Sequence, residues 1–148
     1  MFKHILIPTD GSKLALKGVK AGARLARSLG ARVTGLYVVP PYTPPVYGEG
    51  AIYIPGYSMR EYKEQGARAA RKALAAVHSE ARRAKVRVAA KVLYDRPAWD
   101  GILAAARAGR CSAIVMASHG RGGLGGLILG SQTQRVLAKS KIPVLVVR

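Results

Sequence analysis

Short apolar runs alternate with longer segments of helical periodicity along this chain. Residues 4–8 (HILIP) form the first apolar run, and residues 9–12 (TDGS) supply a turn and a helix cap directly after it. From Ser12 to about Leu29, apolar or small residues recur every three or four positions, and Gly30 then stands where a helix ends. The pattern therefore predicts a strand followed by an amphipathic helix.

Four later apolar runs predict further strands, at residues 32–39, 86–93, 112–118 and 142–147. Between them, helical spacing predicts a long helix from about Met59, a helix that opens at Pro97, and a last helix from Gly130 to about Ser140. Strands that alternate strictly with helices pair in parallel through right-handed crossovers. We therefore predict an α/β fold with helices on both faces of one parallel sheet, as a single domain over residues 1–148.

Ligands of such sheets bind outside the carboxyl ends of the strands, at the point where the strand order reverses. The connections at that edge are residues 9–12, 95–97 and 118–131 and the stretch that begins at Pro40. Residues 40–58 contain five prolines, three glycines and four tyrosines, a composition typical of a long irregular connection. We predict that this segment is a mobile lid or a docking surface.

The charge of the chain is its most unusual property. The 148 residues include 25 Lys and Arg against 7 Asp and Glu, a formal net charge of +18. Such a charge predicts attraction to polyanions, whether nucleic acid, acidic lipid or a phosphorylated ligand. The first predicted helix carries a line of cations with no acid between them: Lys13, Lys17, Lys20, Arg24 and Arg27. This line is either a solvated surface or a sequence-independent, salt-sensitive surface for nucleic acid.

No segment of the sequence predicts a membrane span or an export signal. The apolar runs stay far below the roughly 18 residues of a membrane span, and the first residues lack the pattern of a signal peptide. The single cysteine, Cys111, excludes an internal disulfide and a cysteine-rich zinc site. We therefore expect a cytoplasmic protein.

A glycine-rich loop follows the fourth predicted strand. Residues 118–126 (SHGRGGLGG) can bring several backbone N–H groups close to an anion, and a phosphate is the expected ligand. The loop contains a G-x-G-x-x-G match, but it follows the fourth strand, and residues 139–141 (KSK) stand where a ribose-binding acid is expected. The pattern therefore excludes a dinucleotide fingerprint, and the sequence contains no Walker-type P-loop.

Two residues at this edge of the sheet each have more than one role open to them. Ser131, at the start of the last helix, either binds phosphate oxygens together with the N–H groups around it or only caps the helix. Asp10, at the end of the first strand, can bind a ribose hydroxyl, hold Mg²⁺ through water, or cap the first helix. The sequence leaves these alternatives open.

Candidates for catalysis are few. None of the seven acidic residues is spaced with another on one element as a general acid and base pair would be. A lone histidine such as His119 is more often structural than catalytic, and His4 and His78 show no metal-ligand spacing. Cys111 begins a strand at the end opposite the ligand edge, where a thiol is inert. We therefore predict no catalytic residue and no metal site.

Four motifs stand in a fixed order along nearly the whole chain. They are residues 7–12 (IPTDGS), residues 38–40 (VVP), residues 116–120 (MASHG) with Gly130-Ser131 after a gap of nine residues, and residues 142–147 (IPVLVV). Taken together, they resemble the universal stress protein family. The resemblance implies a Rossmann-like three-layer sandwich with a five-stranded parallel sheet in the order 3-2-1-4-5. It also implies a homodimer formed through the last strand and, in one branch, an ATP site, with or without Mg²⁺.

The family's nucleotide contacts carry over to this chain by position. The adenine and ribose contacts fall on Pro8, Asp10 and Val38. The phosphate contacts fall on Met116, Gly120, Gly130, Ser131 and Gln132. Two positions depart from the family: Ala117 replaces the first glycine of the ATP pattern G-x-x-G, nine residues, G-[ST], and Asp95 stands where a glycine is common. Alanine at the first position is tolerable at negative φ and costly at positive φ or where the ribose packs against it.

Three functions from different classes follow. We favour a nucleotide-responsive regulatory module in the stress response, in which ATP orders residues 40–58 and hydrolysis is slow at most, because no base, arginine finger or Walker lysine is evident. The second is a nucleotide-free protein that binds nucleic acid or an acidic partner through its basic surface. The third is an enzyme of adenylyl or phosphoryl transfer, for which the sequence lacks an evident catalytic set.

Overall fold

Strands and helices alternate along the computed structural model, which describes residues 1–42, 58–119 and 129–148. Their order is β1 (His4–Pro8), α1 (Lys13–Leu29), β2 (Arg32–Val38), α2 (Met59–Arg83), β3 (Val88–Leu93), α3 (Ala98–Ala108), β4 (Ala113–Ala117), α4 (Ser131–Lys139) and β5 (Val144–Val147). Most of the predicted lid, residues 43–57, lies outside the described residues, as do Gly120 and the rest of the glycine-rich loop to residue 128.

The five strands form one parallel sheet in the order β3-β2-β1-β4-β5. This order confirms the predicted α/β fold and strand arrangement. The order reverses at β1, which pairs with β2 on one side and with β4 on the other, so that Leu6 lies between Thr34 and Ile114. The connections that leave β1 and β4 run to different sides, which opens a crevice at their carboxyl ends.

The alternation of side chains along β1 divides the core between the two faces of the sheet. Ile5 and Ile7 are fully buried on the face covered by α1 and α2, whereas Leu6 is fully buried on the face covered by α3 and α4. Because helices cover both faces, the central strands are apolar at almost every position. The molecule is therefore the predicted three-layer sandwich.

Three helices end with the same hydrogen-bond pattern. After α1, α2 and α3, the residues Gly30, Lys85 and Arg110 adopt the left-handed conformation, with φ of 60°, 55° and 49°. In each case the next residue donates a backbone hydrogen bond to the carbonyl five positions back, as Val86 does to Ala81 at 2.9 Å. This bond keeps Val86 out of the sheet, so β3 begins two residues later than the apolar run predicts.

The last strand also begins later than predicted. Ser140 Oγ accepts a hydrogen bond from Ile142 N–H at 3.2 Å and donates one to the Ile142 carbonyl at 2.7 Å. These bonds hold a turn after α4, so β5 begins at Val144. Ile142 packs as a partly buried side chain against the core beneath α3 and α4, which explains why it is apolar although it precedes the strand.

A buried histidine stands at the amino end of β1. Its Nδ1 lies 3.0 Å from the carbonyl oxygen of Gly109, and its Nε2 lies 2.8 Å from Oγ1 of Thr34. Burial and the nearby charge of Arg32 lower the pKa of His4. Burial raises the pKa of the Cys111 thiol, whose Sγ lies 3.7 Å from Nδ1 of His4. A neutral imidazole and a neutral thiol therefore fill this end of the core.

The outer faces of the long helices α1 and α2 are charged. The line of cations predicted on α1 is exposed along its whole length: Lys13, Lys17, Lys20, Arg24 and Arg27. Helix α2 adds Arg60, paired with Glu64 at 3.3 Å, and Arg83, paired with Glu80 at 3.2 Å. Of the helices that the structure describes, none is both long and apolar enough to cross a membrane.

Candidate functional site

A cleft opens at the carboxyl ends of β1, β2 and β4, beside the reversal of strand order. Its volume is about 140 Å³. It brings together six of the nine site residues predicted from the sequence: Pro8, Asp10, Val38, Met116, Ala117 and Gln132. Gly130 and Ser131 lie at the start of α4, whose next two residues line the cleft. Gly120 lies outside the described residues.

The inner part of the cleft is apolar. Leu36 and Ile102 are buried beneath it, and Pro8, Val38 and Met116 complete its lining. None of these side chains can donate a hydrogen bond, and all of them present apolar surfaces. A planar ring such as a nucleobase is the kind of group that such a slot accommodates.

Asp10 supplies a carboxylate to the lining of the cleft. Its Oδ1 accepts a hydrogen bond from the backbone N–H of Ser12 at 2.9 Å, which fixes the turn after β1. The N-cap of α1 is Ser12, whose Oγ accepts from the N–H of Ala15 at 3.0 Å. The capping role open to Asp10 in the sequence is therefore wrong, because Ser12 fills it.

Helix α4 begins directly against the end of β4. The N–H of Gly130 donates to the Ser118 carbonyl at 2.9 Å, and a Cβ on Gly130 would lie 3.2 Å from that oxygen and 3.3 Å from Cα of His119. Glycine allows this close approach without displacing the neighbouring backbone.

The N-cap of α4 is Gly130, and no side chain of the described residues caps the helix. The alternative that Ser131 is the N-cap is wrong, because Ser131 is the first helical residue. Glycine has no side chain to bond the N–H groups of the first turn, so these keep the positive partial charge of a helix start. Such a helix start suits an anion.

Two side chains in the first turn of α4 join it to neighbouring elements. Gln132 Oε1 accepts a hydrogen bond from the N–H of Trp99, in the first turn of α3, at 3.1 Å. The buried Thr133 donates from Oγ1 to the Ala117 carbonyl, at the end of β4, at 3.2 Å. The first turn of α4 is therefore fixed relative to both α3 and β4 at the wall of the cleft.

The cleft also contains residues outside the predicted set. They are Thr9, Ala15, Leu36, Ala98, Ile102, His119 and Thr133. Thr9 and Thr133 each adjoin a predicted residue along the chain, and Leu36 faces the same way as Val38 by strand alternation, so extending the motifs would find them. Ala15, Ala98 and Ile102 carry no chemical signal in the sequence, because they only shape the wall.

Similarity to known proteins extends over the whole chain. The model of the universal stress protein family matches residues 1–148. The chain belongs to this family. A Thermus aquaticus relative, described as the universal stress protein in the QAH/OAS sulfhydrylase 3' region, is 37% identical over 149 residues, which cover 100% of both chains.

Solved structures share the universal stress protein fold with this chain. The hypothetical protein MJ0577 is 25% identical with a TM-score of 0.75, over 99% of this chain and 96% of that one. A universal stress protein in complex with cAMP is 19% identical with a TM-score of 0.67, over 99% and 97%. The universal stress protein from Archaeoglobus fulgidus in complex with dAMP is 19% identical with a TM-score of 0.59, over 100% and 98%.

The backbone accommodates both departures from the universal stress protein pattern. Ala117 ends β4 and is not one of the described residues with positive φ, so its methyl group causes no backbone strain. Asp95 has a φ of 55°, the left-handed conformation that glycine adopts freely and that Asp tolerates better than most residues. Its Oδ1 accepts from the N–H of Tyr42 at 3.2 Å, which ties the β3–α3 connection to the end of β2.

The described lining of the cleft in this universal stress protein contains few titratable groups. Among the described lining residues, Asp10 and His119 are the titratable ones, and Nδ1 of His119 lies 3.1 Å from Oγ of the adjacent Ser118. The part of the chain that the structure describes contains no group of three His, Cys, Asp or Glu side chains suited to a metal ion. An apolar slot, a carboxylate and a helix start are thus the features that a ligand meets.

Proposed function

We propose that this universal stress protein binds an adenine nucleotide, ATP with Mg²⁺, in the cleft, and that it acts as a regulatory module of the stress response in the cytoplasm. The observation that carries the proposal is the convergence of two unlike surfaces on one cleft. The apolar slot around Val38 and Met116 suits a base, and the start of α4 suits phosphates. A ligand with an aromatic ring at one end and anionic groups at the other uses both.

In this proposal, Asp10 binds the sugar of the nucleotide. A carboxylate accepts hydrogen bonds from the hydroxyls of ribose, and Asp10 lines the cleft together with Pro8, next to the slot. Gly130 and Ser131 lie at the start of α4, and Gln132 follows them in its first turn. Relatives of the same fold with bound cAMP and dAMP support a nucleotide as the ligand class.

Hydrolysis of the bound nucleotide is slow at most. Phosphoryl transfer needs a base or a residue that orients water, and cations that stabilise the transferred charge. The described lining of the cleft contains no lysine or arginine, and its carboxylate, Asp10, already accepts a hydrogen bond from Ser12. We therefore propose a protein that responds to nucleotide occupancy, and no residue is assigned to catalysis.

The proposed functional unit is a homodimer formed through β5. Among the described strands, β5 pairs with β4 alone, along one edge, and its four residues are all apolar. Leu145 is 47% exposed, a large fraction for a leucine in a strand. An apolar edge strand invites pairing with a second strand, and a copy of β5 is complementary to it.

Calorimetry with ATP and with adenosine tests the nucleotide proposal. The protein is first freed of any ligand that it carries from its host, with mass spectrometry of the released material as a check. We expect ATP with Mg²⁺ to bind at least about tenfold more tightly than adenosine, about 1.4 kcal/mol, because only ATP reaches the start of α4. Absence of binding heat with ATP would reject the proposal and favour a nucleotide-free interaction protein.

Substitution of Asp10 isolates the contact with the sugar. We expect Asp10→Ala to weaken ATP binding by about 1 to 3 kcal/mol, the scale of a lost charged hydrogen bond. Asp10→Asn is the matched control, because its amide oxygen still accepts from the N–H of Ser12 and preserves the turn. We expect an intermediate loss for Asn in the same titration. Equal affinity of all three proteins would mean that Asp10 contacts no ligand and only shapes the turn.

A further inference from the structure

A second cleft lies between α1 and α2, at the end of the sheet opposite the nucleotide cleft. Its lining includes Lys20, Arg24 and Arg27 from α1 and Arg83 from α2, and its volume is about 590 Å³. A smaller pocket shares Arg27 with it and adds Lys85 and Arg87 from the α2–β3 connection. We call these six cations and the space between them the basic groove.

The basic groove has a large excess of positive charge. In the part of its lining that the structure describes, Glu80 is the one acidic residue against six cations, and Arg83 already pairs with that carboxylate at 3.2 Å. Arg27 has a structural role as well, because its guanidinium donates to the Ala84 carbonyl, at the end of α2, at 2.9 Å.

Three of the other cations of the groove have no such role in the fold. The side chains of Lys20, Arg24 and Arg87 are exposed and form no hydrogen bond or ion pair among the described residues. Helix α1 extends the same surface toward its amino end with Lys13 and Lys17, where the helix dipole disfavours cations, and its first turn holds no acid. Apart from Arg27, stability of the fold therefore does not account for this line of charge.

We propose that the basic groove and the line of cations on α1 bind the phosphodiester backbone of a nucleic acid without reading its sequence. Four of the six groove cations are arginines, whose planar guanidinium groups bond phosphate oxygens in pairs. From Lys13 to Arg27 the helix rises about 21 Å, the length of about six base pairs.

An acidic protein or a membrane fits the groove less well than a nucleic acid does. Its described lining contains no aromatic side chain and, apart from the half-buried Val86, no apolar side chain larger than alanine. Protein interfaces are usually anchored by buried aromatic or large apolar groups, and surface-bound helices insert such groups into the bilayer. A purely cationic surface fits a partner whose exposed face is a regular row of phosphates.

The salt dependence of binding tests the proposal. Fluorescence anisotropy with labelled duplex DNA, duplex RNA and single-stranded DNA distinguishes the sources of the phosphodiester backbone. The test variant combines Lys20→Gln, Arg24→Gln and Arg87→Gln. The matched control combines Arg107→Gln, Arg110→Gln and Arg135→Gln, exposed cations of the α3 and α4 layer. Both variants lose the same charge, so a difference between them reports the place of binding.

We expect the slope of log affinity against log salt on duplex DNA to fall by about 0.9 per lost contact, about 2 to 3 in all for the groove variant, and to stay unchanged for the control. Equal changes in the two variants, or no change in either, would overturn the proposal. Equally tight, groove-dependent binding of polyglutamate or of anionic vesicles would also overturn it, because the groove would then recognise negative charge in general. ATP affinity should be unchanged in the groove variant, so this test and the nucleotide test fail independently.

Discussion

We expect Gly130→Val to abolish ATP binding, with a loss of at least about 100-fold, or about 2.7 kcal/mol. The Cβ of any side chain here would lie 3.2 Å from the Ser118 carbonyl oxygen and 3.3 Å from Cα of His119. Because both neighbours are backbone, the start of α4 must move away from β4 to make room for a branched side chain. The phosphates would then lose the first-turn N–H groups on which the proposal relies.

Two further variants separate this effect from a general loss of structure. Arg135→Val places the same side chain at an exposed position of α4 and should leave ATP affinity unchanged. Gly130→Ala adds one methyl group and should give a smaller loss of affinity with an intact fold. Circular dichroism and thermal unfolding check the fold of each protein, and calorimetry measures affinity. A folded Gly130→Val protein that binds ATP normally would contradict the proposed phosphate site.

We expect Leu145→Lys to convert the proposed dimer into a soluble monomer. Leu145 is the most exposed residue of β5, and in a dimer formed through that strand it lies in the interface. A lysine on an edge strand opposes pairing with an identical strand, because the two charges come close together across the axis and lose water. Light scattering at micromolar concentration measures the mass.

Leu137→Lys is the matched control for the dimer experiment. Leu137 is 40% exposed on α4 and is not part of β5, so the substitution is chemically the same but leaves the strand of the proposed pairing unchanged. We expect this variant to remain dimeric. A native protein of monomer mass, or an unchanged dimer in Leu145→Lys, would contradict pairing through β5.

The layer arrangement of this protein could be predicted from its sequence because local pattern and tertiary environment agree. Strands covered on both faces are continuous apolar runs, and β1 and β4 are such runs. Gly30 ends α1 in the left-handed conformation that glycine favours. Lys85 and Arg110 adopt the same conformation after α2 and α3, although neither lysine nor arginine favours it. Hydrogen bonds from the residues that follow determine where α2 and α3 end. The pattern of apolar residues does not predict these bonds.

The contacts that build the cleft were less accessible to sequence reasoning, because they join residues far apart in the chain. Gln132 bonds the N–H of Trp99, 33 positions away. Tyr62 is buried, and its hydroxyl donates to the Pro40 carbonyl at 2.6 Å and accepts from the N–H of Asp95 at 3.1 Å. The sequence predicts that a tyrosine on an amphipathic helix is a core residue. Its hydroxyl has two hydrogen-bond partners only because α2 packs against the strand ends.

Helix α1 connects the nucleotide cleft to the basic groove, and its length decides how charge on one affects the other. Ala15 lines the cleft and Arg27 lines the groove, a rise of about 18 Å along the helix axis. The Debye length at physiological ionic strength is about 8 Å, so the charge of a bound triphosphate is largely screened at the Arg27 end of the groove. Occupancy of the cleft therefore leaves the arginine-rich end of the groove electrostatically unaffected, whereas Lys13, Lys17 and Lys20 lie within about one Debye length of Ala15 along the axis, where the charge of a bound nucleotide weakens their attraction for a polyanion.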